Sequence, residues 1–281
     1  MYIIDIQIVI DSTANVPEEM LLAHANLRVV PLQIILGKDE WNEPELTTAE
    51  LFRLAGEKGV HPQTSQPAPG AFAQAFTPAT EGHPVIMICL SGGLSGTVNG
   101  ARAVANKDFK GREIYVIDSC TGAIGALKMT EAALAMAAAG ESACVIAEYL
   151  QRMAAATRTL FIVDSLEYLR KGGRIGGAAA LVGSILRIKP ILTLREAKVQ
   201  VLDKVRTQSR AISRMLEELS KEDSLAYIGV VYEDEPAVVE EMLTSIRQRY
   251  PDVPVSRSAL GSVLGAHLGP GVIGLIFQSK V

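Results

Sequence analysis

The stretch from Cys89 to Ala101, CLSGGLSGTVNGA, sets hydroxyl side chains and glycines between an apolar run, Val85 to Leu90, and a helical pattern. A strand that delivers the chain through such a loop to a helix start is built to hold an anion. Ser95 stands where the helix begins, and its hydroxyl can cap free backbone N–H groups. Gly92, Gly93 and Gly96 lack a Cβ, so another molecule can approach the backbone. Unpaired N–H groups and the helix dipole favour a negative ligand, and open α/β sheets bind ligands at the carboxyl ends of their strands. The loop alone leaves a simple cap and an anion site equally open. Its spacing excludes several machines. A phosphate-binding P-loop needs Gly followed by Lys and Ser or Thr, and no Lys is present. The glycines miss the G-x-G-x-x-G of dinucleotide sites, and Gly-Leu-Ser-Gly is one residue short of the G-x-S-x-G elbow of hydrolases.

Four other stretches share this character. In IDSTANVP, Asp11, Ser12 and Thr13 read as a side-chain-bonded turn. TSQPAPGAF offers Thr64 and Ser65 on a proline-stiffened segment. RKGGRIGGA sets Lys171 and Arg174 among glycines, a setting that suits carboxylate or phosphate recognition by arginine as well as a solvated turn. GAHLGPG places His267 near the end of the chain, where a lone histidine is more often structural. No carboxylate pair and no His, Cys or Asp cluster with metal spacing appears, so neither a glycosidase nor a metalloenzyme is supported.

The elements that must position these loops alternate between strand and helix. Ile3 to Ile10, Arg28 to Leu36, Val85 to Leu90 and Glu113 to Ile117 read as strands. Pro17-Glu18-Glu19 opens a short helix, Thr47 to Glu50 is a capping box, and Ala71 to Phe76 is a further helix. His61 to Gly70 is too rich in proline for a helix or a central strand. Thr121 to Thr157 is alanine-rich and helical, and Leu160 to Val163 is a strand. Beyond it come a small-residue helix from Ala178 to Leu186 and paired strands at Pro190 to Leu194 and Val199 to Val205. Helices Gln208 to Leu219 and Pro236 to Tyr250 flank a strand from Ala226 to Tyr232, and Val272 to Phe277 is the last strand. The pattern predicts two α/β domains with mostly parallel sheets, residues 1–159 and 160–281.

Composition limits the partners. Hydrophobic residues make up 48% of the 281, charged residues 21% and aromatics 5%. That describes a globular chain with an aliphatic core, and the mean hydropathy of +0.23 leaves apolar surface to line a cavity. A balance of 27 basic against 31 acidic residues gives no nucleic-acid face. No apolar run has the length of a membrane span, the start lacks a secretory signal, and Cys89, Cys120 and Cys144 show no metal or disulfide spacing. A cytoplasmic protein is expected.

Taken in order, VIDSTANVP, TSQPAPGAF, LSGGLSGTVNGARAVA, VIDS, LEYLRKGGRIGGAAALVGSILRIKPIL, KVRT and GAHLGPGVIGLIF resemble the DegV family of fatty-acid-binding proteins, which includes the binding subunits of bacterial fatty acid kinase. The resemblance runs over nearly the whole chain. Asn15 stands where the family usually has Asp, Gly92 where a second Ser is common, and Val98-Asn99-Gly100 replaces a Tyr-containing helix start. The resemblance implies a DegV-like two-domain α/β protein that is not itself an enzyme and needs no cofactor. It would bury a long-chain fatty acid in an apolar pocket, with the carboxylate held by Thr64, Ser95, the N–H of Gly96 and His267. Arg174 would support the head group during phosphoryl transfer. Arg206 would dock a separate ATP-binding kinase subunit, and membrane contact would be transient, for lipid exchange. Two rival readings stand beside it: a stand-alone lipid carrier or regulator, and a serine hydrolase with Ser95 as nucleophile and His267 as base.

Overall fold

The computed structural model describes residues 5–182, 188–234 and 236–281. Ile3 and Ile4 of the first expected strand, and residues 183–186 of the expected Ala178 to Leu186 helix, lie outside them.

The first part of the chain runs β1 (Gln7–Asp11), α1 (Glu18–Ala23), β2 (Leu27–Val30), β3 (Gln33–Leu36), β4 (Asp39–Asn42), α2 (Thr48–Lys58), β5 (Gln63–Ser65), α3 (Pro69–Phe76), β6 (Val85–Cys89), α4 (Thr97–Asp108), β7 (Ile114–Asp118), α5 (Ile124–Ala138) and α6 (Ala143–Ala156). Strands β2-β1-β6-β7, in that order, form a sheet in which every pairing is parallel. Strands β1 and β6 are buried at every position, as both faces of a parallel sheet demand. Phe72, Phe76 and Val98 from α3 and α4 cover one face, and Leu127, Met129 and Ile146 from α5 and α6 the other. The chain passes from β1 to β2 on one side and returns to β6 on the other. The switch point of the sheet therefore lies between β1 and β6, at the loops Asp11–Asn15 and Ser91–Gly96; ligands collect at such points.

The expected strand Arg28 to Leu36 is two strands, β2 and β3, with Pro31 between them. Proline lacks the N–H that a continuing ladder needs. Past the break, the chain enters a separate antiparallel sheet of order β4-β3-β5, in which Thr64 of β5 pairs with Ile34.

The second part runs β8 (Thr157–Ile162), α7 (Glu167–Lys171), β9 (Lys189–Arg195), β10 (Lys198–Val205), α8 (Gln208–Leu219), β11 (Leu225–Tyr232), α9 (Pro236–Arg249), β12 (Val255–Ala259), α10 (Ser262–Leu268) and β13 (Ile273–Ser279). Its six strands lie in the order β10-β9-β8-β13-β11-β12. The α/β class holds, but "mostly parallel" describes only the first sheet. In the second, β11 and β12, joined through α9, are the one parallel pair among the described residues. All other pairings are antiparallel. Two connections cause this. Glu196 and Ala197, both with positive φ, close β9 and β10 into a tight hairpin, and β13 inserts between β8 and β11, opposed to both. Over the described part of the expected Ala178 to Leu186 helix, a 3₁₀ segment spanning Gly176–Leu181 stands instead of an α-helix.

Alternation along β11 and β13 sends Ile228, Val230, Ile273 and Leu275 to a core under α8 and α9, while Val231 and Ile276 share a cluster with Leu94 and with Ala123 and Ile124 at the start of α5, as the period of two requires. The space between this inner face and the loops at the carboxyl ends of β6 and β7 is where the candidate site lies.

Candidate lipid-binding site

Thr64, Ser95, Arg174 and His267 line one cavity. They arrive from four directions: the β5 edge, the loop after β6, the loop after α7, and α10. The rest of the wall is almost wholly aliphatic and includes Leu94, Leu160, Leu194, Val231, Leu264 and Ile276. Thr159 on β8 adds a hydroxyl to that wall, but it is already engaged with Thr121, 2.8 Å away.

The polar end has a definite wiring. His267 Nε2 lies 2.7 Å from Thr64 Oγ1. Its other ring nitrogen is buried without a partner among the described residues, against Gly172, where a Cβ would collide with it. Burial, with Arg174 and His61 nearby, pushes the His267 imidazole down to about 4, so it is neutral at physiological pH. Ser95 Oγ accepts from Thr97 N–H at 3.3 Å and sits 2.8 Å from Thr97 Oγ1. The helix N-cap is Gly96, one residue beyond Ser95 and without a side chain of its own, so the hydroxyl that meets the first N–H of α4 is that of Ser95. Arg174 donates from Nε to Leu94 O at 2.9 Å and from Nη1 to Gly172 O at 2.6 Å. It thus ties the glycine loop to the segment under His267.

Glycines let the loop sit where it does. Gly92 donates its N–H to Asp118 of the VIDS stretch at 3.1 Å, and a Cβ there would lie 2.6 Å from the same carboxylate. A Cβ on Gly93 would fall on the Ala197 carbonyl oxygen of the β9–β10 turn. Gly93→Ala therefore drives backbone against backbone. It is expected to lower stability by about 2 kcal/mol, seen as a fall of roughly 4 °C in Tm by calorimetry. An unchanged Tm would show that the hairpin does not rest on this loop.

Of the residues named from sequence, Gly96 adjoins Ser95 at the start of α4. Arg206 is exposed just after β10 and is not part of the cavity wall. Asp11 forms the expected turn, accepting from Thr13 N–H and Oγ1, and Asn15 takes the left-handed conformation at its end. Ser95 pairs with Thr97 and His267 with Thr64, so the nucleophile–base hydrogen bond of a hydrolase is not formed. Sequence reasoning missed His61, whose ring lies 5.2 Å from that of Tyr168, and Gln66, whose side chain lies over Gly96 and Gly100. It also missed Leu94, the apolar residue inside the glycine loop. All three stood in stretches that the sequence singles out, Leu94 in CLSGGLSGTVNGA, Gln66 in TSQPAPGAF and His61 at the start of the proline-rich segment, but nothing in their spacing points to the site.

A family model described as an uncharacterised protein of the DegV family matches residues 5–280. The chain belongs to the DegV family. The DegV domain-containing protein lin2658 of Listeria innocua is 36% identical over 98% of this chain and 99% of its own length. Among solved structures, a DegV family protein from Thermus thermophilus described for its fatty acid binding superposes with a TM-score of 0.86 at 31% identity, covering 98% of this chain and 99% of that one. A stearic acid-binding protein from Eubacterium ventriosum superposes with a TM-score of 0.83 at 26% identity, covering 98% of that chain and 97% of this one. DegV relatives thus bind fatty acids on this architecture. Among the described residues of this DegV chain, no helix is long and apolar enough to cross a membrane.

Proposed function

We propose that the chain binds one long-chain fatty acid, tail in the aliphatic cavity and carboxylate at Thr64, Ser95 and the Gly96 N–H, with His267 bracing Thr64. The observation that carries this reading is the cavity itself: a largely aliphatic space whose wall also includes Thr64, Ser95, Arg174 and His267. The balance of energies agrees. Each buried methylene contributes roughly 0.8 kcal/mol, so a long chain supplies on the order of 10 kcal/mol before ordering costs. A hydrogen bond to a charged group adds about 1.5–3 kcal/mol. The tail sets affinity, and the polar end sets orientation.

The head-group chemistry follows from proton placement. A neutral His267 that carries its proton on Nε2 donates to Thr64 Oγ1 and leaves the Thr64 hydroxyl hydrogen free for a carboxylate. Thr97 donates its N–H to Ser95 Oγ, and where its hydroxyl is also the donor of their 2.8 Å contact, the Ser95 hydroxyl hydrogen is free in the same way. Two hydroxyl donors and one backbone N–H then face an acceptor-only group, which is the match that charge-assisted hydrogen bonds need. The stearic acid-binding relative supports the ligand class.

The finer reading is that the bound acid is presented to a separate ATP-binding kinase subunit, which forms the acyl phosphate. The chain has no phosphate-binding motif of its own to hold the nucleotide. Arg174 is the cation at the polar end and would stabilise the transferred phosphoryl group. Arg206, exposed outside the cavity, would meet the partner, and contact with a membrane would be limited to lipid exchange. Arg174→Ala is expected to leave fatty acid binding mostly intact and to slow phosphorylation by a cognate kinase at least tenfold. The check is to incubate lipid-loaded protein with ATP and that subunit. An unchanged rate removes Arg174 from the transfer step, and no acyl phosphate from the parent protein would favour a stand-alone carrier.

A further inference from the structure

The candidate lies outside the cavity wall and rests on the fatty-acid reading of that cavity. Glu43 follows β4 and is only 5% exposed. Its Oε1 accepts from Val263 N–H at 2.9 Å in the first turn of α10, a contact 220 residues away in sequence. Gly261, the N-cap of α10, has no side chain to make that bond, and a Cβ there would lie 2.6 Å from Glu43 Oε1. Oε2 accepts from Ser12 Oγ at 2.6 Å, and Ser12 Oγ in turn accepts from Leu32 N–H at 2.9 Å. The cap of α10 is thus borrowed from the first part of the chain. The same short helix carries Val263, Leu264, His267 and Leu268 to the cavity.

We propose that Glu43 is a positioning residue for the lipid site: its carboxyl group anchors α10 and so holds His267 against Thr64.

The anchor has a pH dependence of definite sign. The charged group that acts on Glu43 is Asp11 on β1, and two further acids, Glu233 and Asp234 beyond β11, line the cavity that Glu43 borders. Glu45, on its own turn, is engaged by Asn42. Among the described residues, no lysine or arginine lines that cavity. Burial above all, with Asp11 adding to it, pushes Glu43 up to about 7 from 4.5, against the bonds from Ser12 and Val263, which favour the carboxylate. The carboxyl is raised, so the folded arrangement favours its protonated form. That contribution is complete below the ordinary value and is lost as pH rises through about 7. The protonated group keeps both contacts, with Oε1 accepting from Val263 and Oε2–H donating to Ser12 Oγ. Ionisation leaves a buried charge near Asp11, and an opening of α10 that admits water to the carboxylate becomes easier as pH rises.

The test is release of parinaric acid, a fluorescent fatty acid, from the full chain between about pH 6 and about pH 8, with amide exchange of α10 measured on the lipid-free protein at a single pH. The parent is expected to release several-fold faster at the higher pH. Glu43→Gln, whose amide reproduces the protonated acid, is expected to release slowly and without pH dependence. Glu43→Ala should release about tenfold faster at every pH and exchange faster at Val263 to His267, with exchange restored by Glu43→Gln. Parental pH dependence in Glu43→Gln, or α10 exchange in Glu43→Ala equal to the parent, overturns the anchor. A parent that takes up no parinaric acid overturns the lipid reading instead, and the exchange data then decide the anchor alone.

Discussion

Gly274→Leu is expected to weaken stearate binding by about a hundredfold and to spare a short-chain acid such as octanoate. Gly274 sits in β13 at the centre of the second sheet and lines the cavity. A Cβ there would meet Val231 at 3.5 Å and the Leu160 carbonyl at 3.6 Å, ordinary contacts, so the first added atom fits. The remaining carbons of leucine would occupy the space proposed for the tail and displace about four methylenes. At roughly 0.8 kcal/mol each, that is about 3 kcal/mol, or about two orders of magnitude in Kd. Calorimetric titration with both acids checks it. Equal losses for the long and the short chain would mean damage to the fold. No loss for stearate would mean that the tail does not lie against β13.

Removing the two head-group hydroxyls is the second large effect. Thr64→Ala with Ser95→Ala deletes two donors to a charged acceptor, each worth about 1.5–3 kcal/mol. Water can replace part of each, and the pair shares one ligand group, so the sum is not additive. A loss of roughly thirty- to a hundredfold in affinity for stearate is expected. The corresponding alcohol, which carries no charge, should lose much less. Comparing the two ligands separates a head-group role from general disturbance of the cavity, and equal losses for acid and alcohol would count against the assignment of Thr64 and Ser95.

The parallel core was legible because its strands are buried on both faces. Val85 to Cys89 cannot be read as anything but an apolar run, and the Thr47 capping box fixes the start of α2 locally. Strand β12, Val255–Ala259, is polar and lies at a sheet edge, so it carries no hydrophobic period. Helix α10 hides for a different reason. It contains Gly265, where a Cβ would crowd Thr48 of α2 at 2.7 Å; the glycine serves helix contact and reads locally as a loop. The antiparallel pairing of the second sheet depends on where β13 inserts, which strand patterns do not encode.

The site divides in the same way. The hydroxyl–glycine loop announced itself through its residues and Arg174 through its glycine setting, whereas Arg206, Thr64 and His267 were assigned roles only through the family resemblance. Nothing in their spacing says that an edge strand, a helix and two loops converge on one cavity. Glu43 was illegible altogether. In WNEPEL it reads as one acid of a surface turn, and its burial exists only because α10, 220 residues later, packs beside it.

Mass spectrometry of lipids extracted from the purified protein tests the central claim most directly. The account predicts close to one long-chain fatty acid per chain, strongly depleted in the Thr64→Ala, Ser95→Ala protein. A parent preparation with no bound lipid and no uptake of added stearate, or a ligand that lacks a carboxyl group, would contradict it.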